Sequence, residues 1–220
     1  MSVLPAPASC STERLYAAAL RGEHVAVVDG DDRRHSLPVA RWTTADEGDR
    51  RLLAACAGAT LDVGCGPGRM THGLTATGGT AVGIDVSHEA VRQTRARGAT
   101  AVRRDVYGRV RGVGRWDTVL LADGNIGIGG DPVRLLRRAH DLLGVRGRVV
   151  VDLGRPGGRH AVVEYRLAGA GLLSEPFAWA HVPADAITPL AEAAGFTVVR
   201  HLTSSGRWAA VLLKDVPDAA

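Results

Sequence analysis

Lysine, aromatic side chains and paired cysteines are all scarce in this chain of 220 residues, and each scarcity removes a class of function. Lys214 is the sole lysine among 27 basic residues; the arginines are scattered, so the formal charge of +4 gathers into no patch for a polyanion. Phe, Trp and Tyr make up only 4% of the chain, leaving few platforms on which bases of single-stranded nucleic acid could stack. A nucleic-acid partner is therefore disfavoured. Cys10, Cys56 and Cys65 are odd in number and form no C-x-x-C pair, which argues against a disulfide framework and a thiolate zinc site. No run of about 18 apolar residues occurs. The opening MSVLPAPASCSTERL also lacks a basic segment followed by a long apolar one, so neither membrane spanning nor secretion is expected, and the cytoplasm is the predicted location.

What is present is a globular composition, 45% hydrophobic, enough for one substantial core. From Thr60 onward apolar runs alternate with amphipathic stretches, the rhythm of a parallel sheet covered by helices on both faces. Strands are predicted at Thr60 to Val63, Ala81 to Ile84, Ala101 to Arg103, Thr118 to Ala122 and Val149 to Leu153. Helices fall at Arg69 to Thr75, Ser87 to Arg97 and Pro132 to Leu143, the last capped by Asp131 with Pro132 in its first turn. Residues 158–182 read as an inserted hairpin. A helix over Ala184 to Ala194 follows, and Thr197 to Leu202 with Trp208 to Leu213 would close the sheet as an antiparallel edge pair. Residues 1–58 read as a helical and hairpin segment that packs on the core formed by residues 59–220. In it, a helix spans Glu13 to Leu20, HVAVV and HSLPV flank a polar turn, and Thr44 with Glu47 has the spacing of a capping box.

The informative stretch is LDVGCGPGR, Leu61 to Arg69. A short apolar strand ends in an acid, and three glycines follow at every second residue. Side chains at Gly64 or Gly66 would fill space a ligand needs, and the next helix aims its free N–H groups at the same place. A nicotinamide fingerprint would need a glycine as its sixth residue, where Arg69 (counting from Gly64) or Thr71 (counting from Gly66) stands instead. The pattern resembles motif I of the class I S-adenosylmethionine-dependent methyltransferases, D/E-x-G-x-G-x-G, matched by Asp62, Gly64, Gly66 and Gly68. The resemblance implies a Rossmann-like α/β fold with a seven-stranded, mostly parallel sheet, S-adenosylmethionine as cofactor, and methyl transfer. It further implies Asp85 as the ribose ligand, and Asp105 with Val106 as the adenine contacts. Cys65, Val86 and Ala122 are expected beside the cofactor as neighbours of these positions. Gly68 is equally suited to close helix packing.

In an open α/β sheet the ligand lies beyond the carboxyl ends of the strands, so the loop ADGNIGIGGDP after the fourth strand should face the reactive methyl. Asp123 and Asn125 are its polar side chains before Asp131, and Asp123 is the first candidate for a base or orienting group. His160 and His181, in the inserted hairpin, are weaker candidates. No NPPY-type loop occurs there, which disfavours methylation of DNA or glutamine, and Asp152 is followed by Leu153 rather than by the asparagine of metal-dependent relatives, so no metal is expected. Tyr165, Phe177 and Trp179 could line an apolar acceptor pocket. The expected partner is a small-molecule acceptor. The alternatives are an RNA or protein methyltransferase, a protein that binds S-adenosylmethionine without catalysis, and a nicotinamide oxidoreductase.

Overall fold

The computed structural model describes residues 8–216; residues 1–7 and 217–220, at the outer ends of the two expected segments, lie outside it. Thirteen strands and six helices occupy the described chain: β1 (Ala8–Cys10), α1 (Thr12–Leu20), β2 (Ala26–Val28), β3 (Arg34–Ser36), α2 (Glu47–Ala55), β4 (Thr60–Val63), α3 (Arg69–Ala76), β5 (Ala81–Asp85), α4 (His88–Ala96), β6 (Ala101–Arg103), β7 (Trp116–Leu121), α5 (Pro132–Leu142), β8 (Leu143–Leu153), β9 (Ala161–Gly169), β10 (Leu172–Ser174), β11 (Phe177–His181), α6 (Ile187–Glu192), β12 (Phe196–Ser204) and β13 (Arg207–Lys214). None of the helices is long and apolar enough to cross a membrane.

The main sheet has seven strands in the order β12-β13-β8-β7-β4-β5-β6. Its five central and far-edge strands run parallel, and β13 joins β8 antiparallel with β12 outside it. This is the expected Rossmann-like architecture. Strand alternation sorts the side chains into two cores. Val119, Leu121, Val149, Val151, Ala210 and Leu212 pack with Leu135 and Leu136 of α5, Ile187 of α6 and Phe196. Their neighbours Leu120, Val150, Ala209 and Val211 face the other way, against Leu52 of α2 and Met70 and Leu74 of α3.

A second sheet, unforeseen as such, joins the two segments that the sequence suggested separately. It runs β1-β10-β9-β2-β3, with β11 also paired to β9. Strand β9 thus serves both the inserted segment and the N-terminal hairpin, whose β2 pairs it from Ala26↔Ala168 to Val28↔Arg166. Helix α1 lies on this sheet through Leu15, Ala18 and Ala19, against Val25 and Leu167. Bridges Ile128↔Trp179 and Gly154↔Pro183 fasten it beyond the carboxyl ends of β7 and β8.

Three local expectations need correction. Helix α2 is capped by Asp46 and Asp49, not by Thr44 and Glu47: each carboxylate accepts the other residue's backbone N–H at 2.8 Å. A carboxylate is the stronger acceptor at the positive end of a helix. The helix expected at 184–194 is a 3-10 turn at Ala184–Ala186 followed by the short α6, because Pro189 has no N–H to join an earlier ladder. Strand β8 begins six residues early, with Leu143 extended against Trp116 ahead of an irregularity in register.

Candidate functional site

At the carboxyl end of β4 the chain turns through Gly64, Gly66 and Gly68 with φ of +70°, +52° and +90°, conformations that exclude most side chains. The three glycines do different things. A Cβ on Gly64 would stand 2.7 Å from Asn125 Nδ2, and one on Gly68 2.7 Å from Thr94 Cα, whereas Gly66 has only the Tyr16 hydroxyl at 3.5 Å. Gly68 therefore serves the packing of α3 on α4 and Gly64 the close approach of Asn125; with Gly66, which has open space above it, Gly64 leaves a bare backbone cradle. Cys65 points away from it, packed with Val91 and Ala101, and burial raises its thiol pKa far above the usual range.

Beneath the cradle, Asp62 is fully buried and accepts from Thr71 Oγ1 at 2.6 Å. Burial pushes its carboxyl up to about 7 against that hydrogen bond. Asp85, ending β5, accepts the Gly66 N–H at 3.0 Å and the Ser87 N–H at 2.8 Å; burial raises it too, with those bonds opposing. Val86 beside it is 52% exposed, an apolar surface at the cradle's edge. Beyond β6, Asp105 accepts the Tyr107 N–H at 2.9 Å, Val106 is buried, and the Tyr107 hydroxyl reaches Ile128 O at 3.2 Å. The structure thus gathers Asp62, Gly64, Gly66, Asp85, Val86 and the 105–107 turn along one edge of the main sheet.

The loop after β7 closes this edge. Ala122 is buried; Asn125 Nδ2 donates to Val63 O at 2.8 Å and to Gly64 O at 3.0 Å, bracing the cradle from the turn after the neighbouring strand. Asp123 has φ of +52° and pairs with Arg69 and, at 3.4 Å, with Arg207. The loop's glycines let the second sheet approach: a Cβ on Gly127 would meet Ala180 O at 2.3 Å.

Sequence reasoning missed what holds this region together. Asp49 is fully buried and paired with Arg69 and, at 2.5 Å, with Arg207, whose other nitrogen lies 2.7 Å from Asp152. Burial alone would raise Asp49, but the bonds from Arg69, the Asp46 N–H and Arg207 hold it below the usual carboxylate range. Burial outweighs Arg207 at Asp152, which is raised. No local signal marks these partners. Tyr16 of α1 was also missed; burial first, then Asp85, Cys65 and Asp123, raise its phenol well above the usual value.

Between the main sheet and the second sheet lies a cleft of about 740 Å³. One wall carries Asp123, Gly124 and Asp152; the other carries Arg155, Arg159, Tyr165, Trp179 and His181. His160 is exposed and stands between two lining residues without lining the cleft itself, and Phe177 packs with α1 instead.

The residues present suit S-adenosylmethionine. At Gly66 a Cβ would meet only the Tyr16 hydroxyl, so bare backbone faces open space there; Asp85 offers acceptor oxygens next to it, and the exposed Val86 gives it an apolar edge. Comparison with known proteins agrees. Residues 60–147 match the family described as a methyltransferase domain. No curated protein matches the chain. Among solved structures, an S-adenosylmethionine-dependent methyltransferase of Bacteroides fragilis, in complex with S-adenosyl-L-homocysteine, aligns over 98% of both chains with a TM-score of 0.75 and 21% identity. The 1,6-didemethyltoxoflavin-N1-methyltransferase of Burkholderia thailandensis aligns over 97% of this chain and 94% of its own, with a TM-score of 0.63 and 18% identity. A sugar N-methyltransferase of Streptoalloteichus covers 76% and 85%, with a TM-score of 0.56 and 21% identity. At these identities the likeness is one of fold.

Proposed function

We propose, for a chain whose residues 60–147 form a methyltransferase domain on a class I S-adenosylmethionine-dependent fold, that it transfers a methyl group from S-adenosylmethionine to a small-molecule acceptor. The observation that carries the reading is the side-chain-free turn at Gly64 and Gly66 with Asp85 bonded to it; the loop whose Asn125 braces that turn also supplies Asp123 and Gly124 to the lining of a cleft of about 740 Å³. That volume suits a small organic molecule rather than a folded macromolecule. Neighbours of the same fold that act on a sugar and on didemethyltoxoflavin are in keeping with it.

When bound, the cofactor supplies a sulfonium methyl open to in-line displacement. What remains for the protein is alignment and exclusion of water. Asp85 would hold the ribose hydroxyls; Asp105 and the Val106 backbone would hold the adenine. Asp62 and Cys65 shape the loop from beneath, and Ala122 closes the floor. Asn125 fixes the cradle through its two carbonyl contacts. Asp123, committed to Arg69 and Arg207, acts as an orienting group rather than as the base. His181 lines the cleft and takes precedence over His160 as a hydrogen-bonding group near the acceptor. All three cysteines are free, the state a reducing compartment maintains, and the cytoplasm is the proposed location.

Calorimetry decides the first half: S-adenosylhomocysteine should bind at micromolar concentration and NADH should not. Transfer of a labelled methyl group to members of a metabolite panel, with none to bulk RNA or protein, decides the second. Uptake of NADH in place of the sulfur nucleoside would overturn the reading.

A further inference from the structure

The two walls of the cleft differ in how their charges are answered. On the main-sheet wall, each lining acid already has a partner: Asp123 meets Arg69 and Arg207, and Asp152 meets Arg207. The facing wall, from the β8–β9 loop and strands β9 and β11, contributes Arg155 and Arg159 to the lining and no acid at all. Neither guanidinium has a carboxylate within ion-pair distance among the described residues. The nearby Asp185 accepts from the Gly157 N–H at 3.0 Å, so it holds the loop rather than either arginine. Asp29, whose charge is felt at Tyr165, is bound by His35 at 3.0 Å and by the N–H groups of Asp31 and Arg33.

From this asymmetry we infer that the acceptor is an aromatic compound bearing an acidic group, with that group held by Arg155 and Arg159 and its ring against Trp179 and the Tyr165–His181 pair. The inference rests on the cleft being the acceptor site of the proposed methyltransferase. Guanidinium groups recognise carboxylate or phosphate through paired N–H donors, and arginine also lies well over aromatic planes. Trp179 gives the cleft a broad ring. Cross-strand packing sets Tyr165 and His181 edge to face with centroids 5.9 Å apart, and the Tyr165 hydroxyl is 2.8 Å from His181 Nε2.

That pair adds a neutral hydrogen-bond donor. Burial first and then Arg159 lower the His181 pKa, while burial raises that of Tyr165, so both are uncharged near neutrality. A neutral tyrosine and a neutral histidine carry two polar hydrogens between them, and their mutual bond uses one. Whichever tautomer is present, the other hydrogen stays free for the ligand. A cationic acceptor gains nothing here, since the wall that is free to bind it is itself positive.

The test compares matched pairs: para-hydroxybenzoate with para-hydroxybenzamide, and a hydroxynaphthoate with its amide, with phenyl phosphate as a second kind of anion. Binding is read by calorimetry on the full chain saturated with S-adenosylhomocysteine, whose own affinity is measured first. Each carboxylate should bind at least about tenfold tighter than its amide, and the Arg155→Gln/Arg159→Gln variant should bring that ratio to within about twofold without altering S-adenosylhomocysteine affinity. Tighter binding of phenyl phosphate than of either carboxylate would support the acidic group and assign it as phosphate. Equal binding within each pair, preference for the amide, no binding of any anion, or discrimination that survives in the double variant overturns the inference. Failure of S-adenosylhomocysteine itself to bind would instead strike the methyltransferase reading.

Discussion

The groups proposed to hold the cofactor fall in order between positions 62 and 106, each at the end of a strand. The groups proposed to face the acceptor come from the loop after β7, the segment from Asp152 to Pro183 and a second sheet that also uses residues 8–36. The first wall follows from local chain direction: strand, tight turn, helix, repeated. The second exists only because distant pieces pair, as when β2 joins β9 or Arg207 meets Asp49 across 158 positions. One wall is set by backbone that lacks side chains, the other by side chains that must find each other. Perturbations should therefore hurt the two in different currencies, affinity on one side and stability on the other.

The largest effect is expected where the distant pieces are tied. Arg69→Met leaves the fully buried Asp49 with one guanidinium instead of two, and losing a partner from such a pair typically costs about 3–5 kcal/mol. Urea unfolding measures it. Arg50→Met, on the exposed face of α2, should change stability by less than about 0.5 kcal/mol. Equal losses in the two variants would mean the ion-pair cluster contributes no more than ordinary surface.

Next comes the acid beneath the cradle. The folded-state pKa of Asp62 is raised from 3.8 to about 7, so the native protein holds this proton more tightly than the unfolded chain. Its contribution is fully present below about pH 4 and is lost as pH rises through about 7, a fall of up to about 4 kcal/mol. Asp62→Asn does not titrate. Its stability relative to the wild type should therefore climb between about pH 4 and pH 7 and level off above that, as read by urea unfolding across that range. A difference that stays flat, or that shrinks with pH, would show that Asp62 is ionised and compensated in the fold.

Gly64→Ala probes the cradle directly. The added Cβ demands φ of +70° and meets Asn125 Nδ2 at 2.7 Å, so S-adenosylhomocysteine affinity should fall by at least about 100-fold, near 3 kcal/mol. Combining it with Asn125→Ala separates two causes. Relief of the clash should recover stability but not affinity if the methyl group occupies ligand space. Full recovery of affinity would move the ligand away from Gly64.

How much of this was legible tracks the same division. Strands β4 and β6 begin and end at the residues expected from their apolar runs, because each is bounded by turn-forming residues in its own segment. The glycine spacing also revealed the cradle, whose conformation depends on little beyond itself. Strands β1, β2 and β10 are three residues each, too short to show a period, and are strands only through partners such as β9. Asp49, Arg69 and Arg207 looked like ordinary charged residues of two helices and a hairpin. Only the packing of α2 against β13 removes them from water and makes their pairing matter.

The smallest expected effect tests a misreading of that kind at one helix end. Thr44-x-x-Glu47 and Asp46-x-x-Asp49 both offer a capping box at the start of α2, and sequence spacing alone cannot rank them. Asp49 decides it: held from the far side by Arg69 and Arg207, its carboxylate can reach back to the Asp46 N–H only if the helix starts at Glu47. The cap is thus chosen by the same two arginines that pair with Asp123 and Asp152 on the main-sheet wall of the cleft. Asp46→Ala removes the oxygen that accepts the Asp49 N–H and should cost about 1 kcal/mol in urea unfolding, while Thr44→Ala should leave stability unchanged within error. If Thr44→Ala proves the more damaging of the two, the helix begins two residues earlier in solution and Asp49 cannot sit between both arginines.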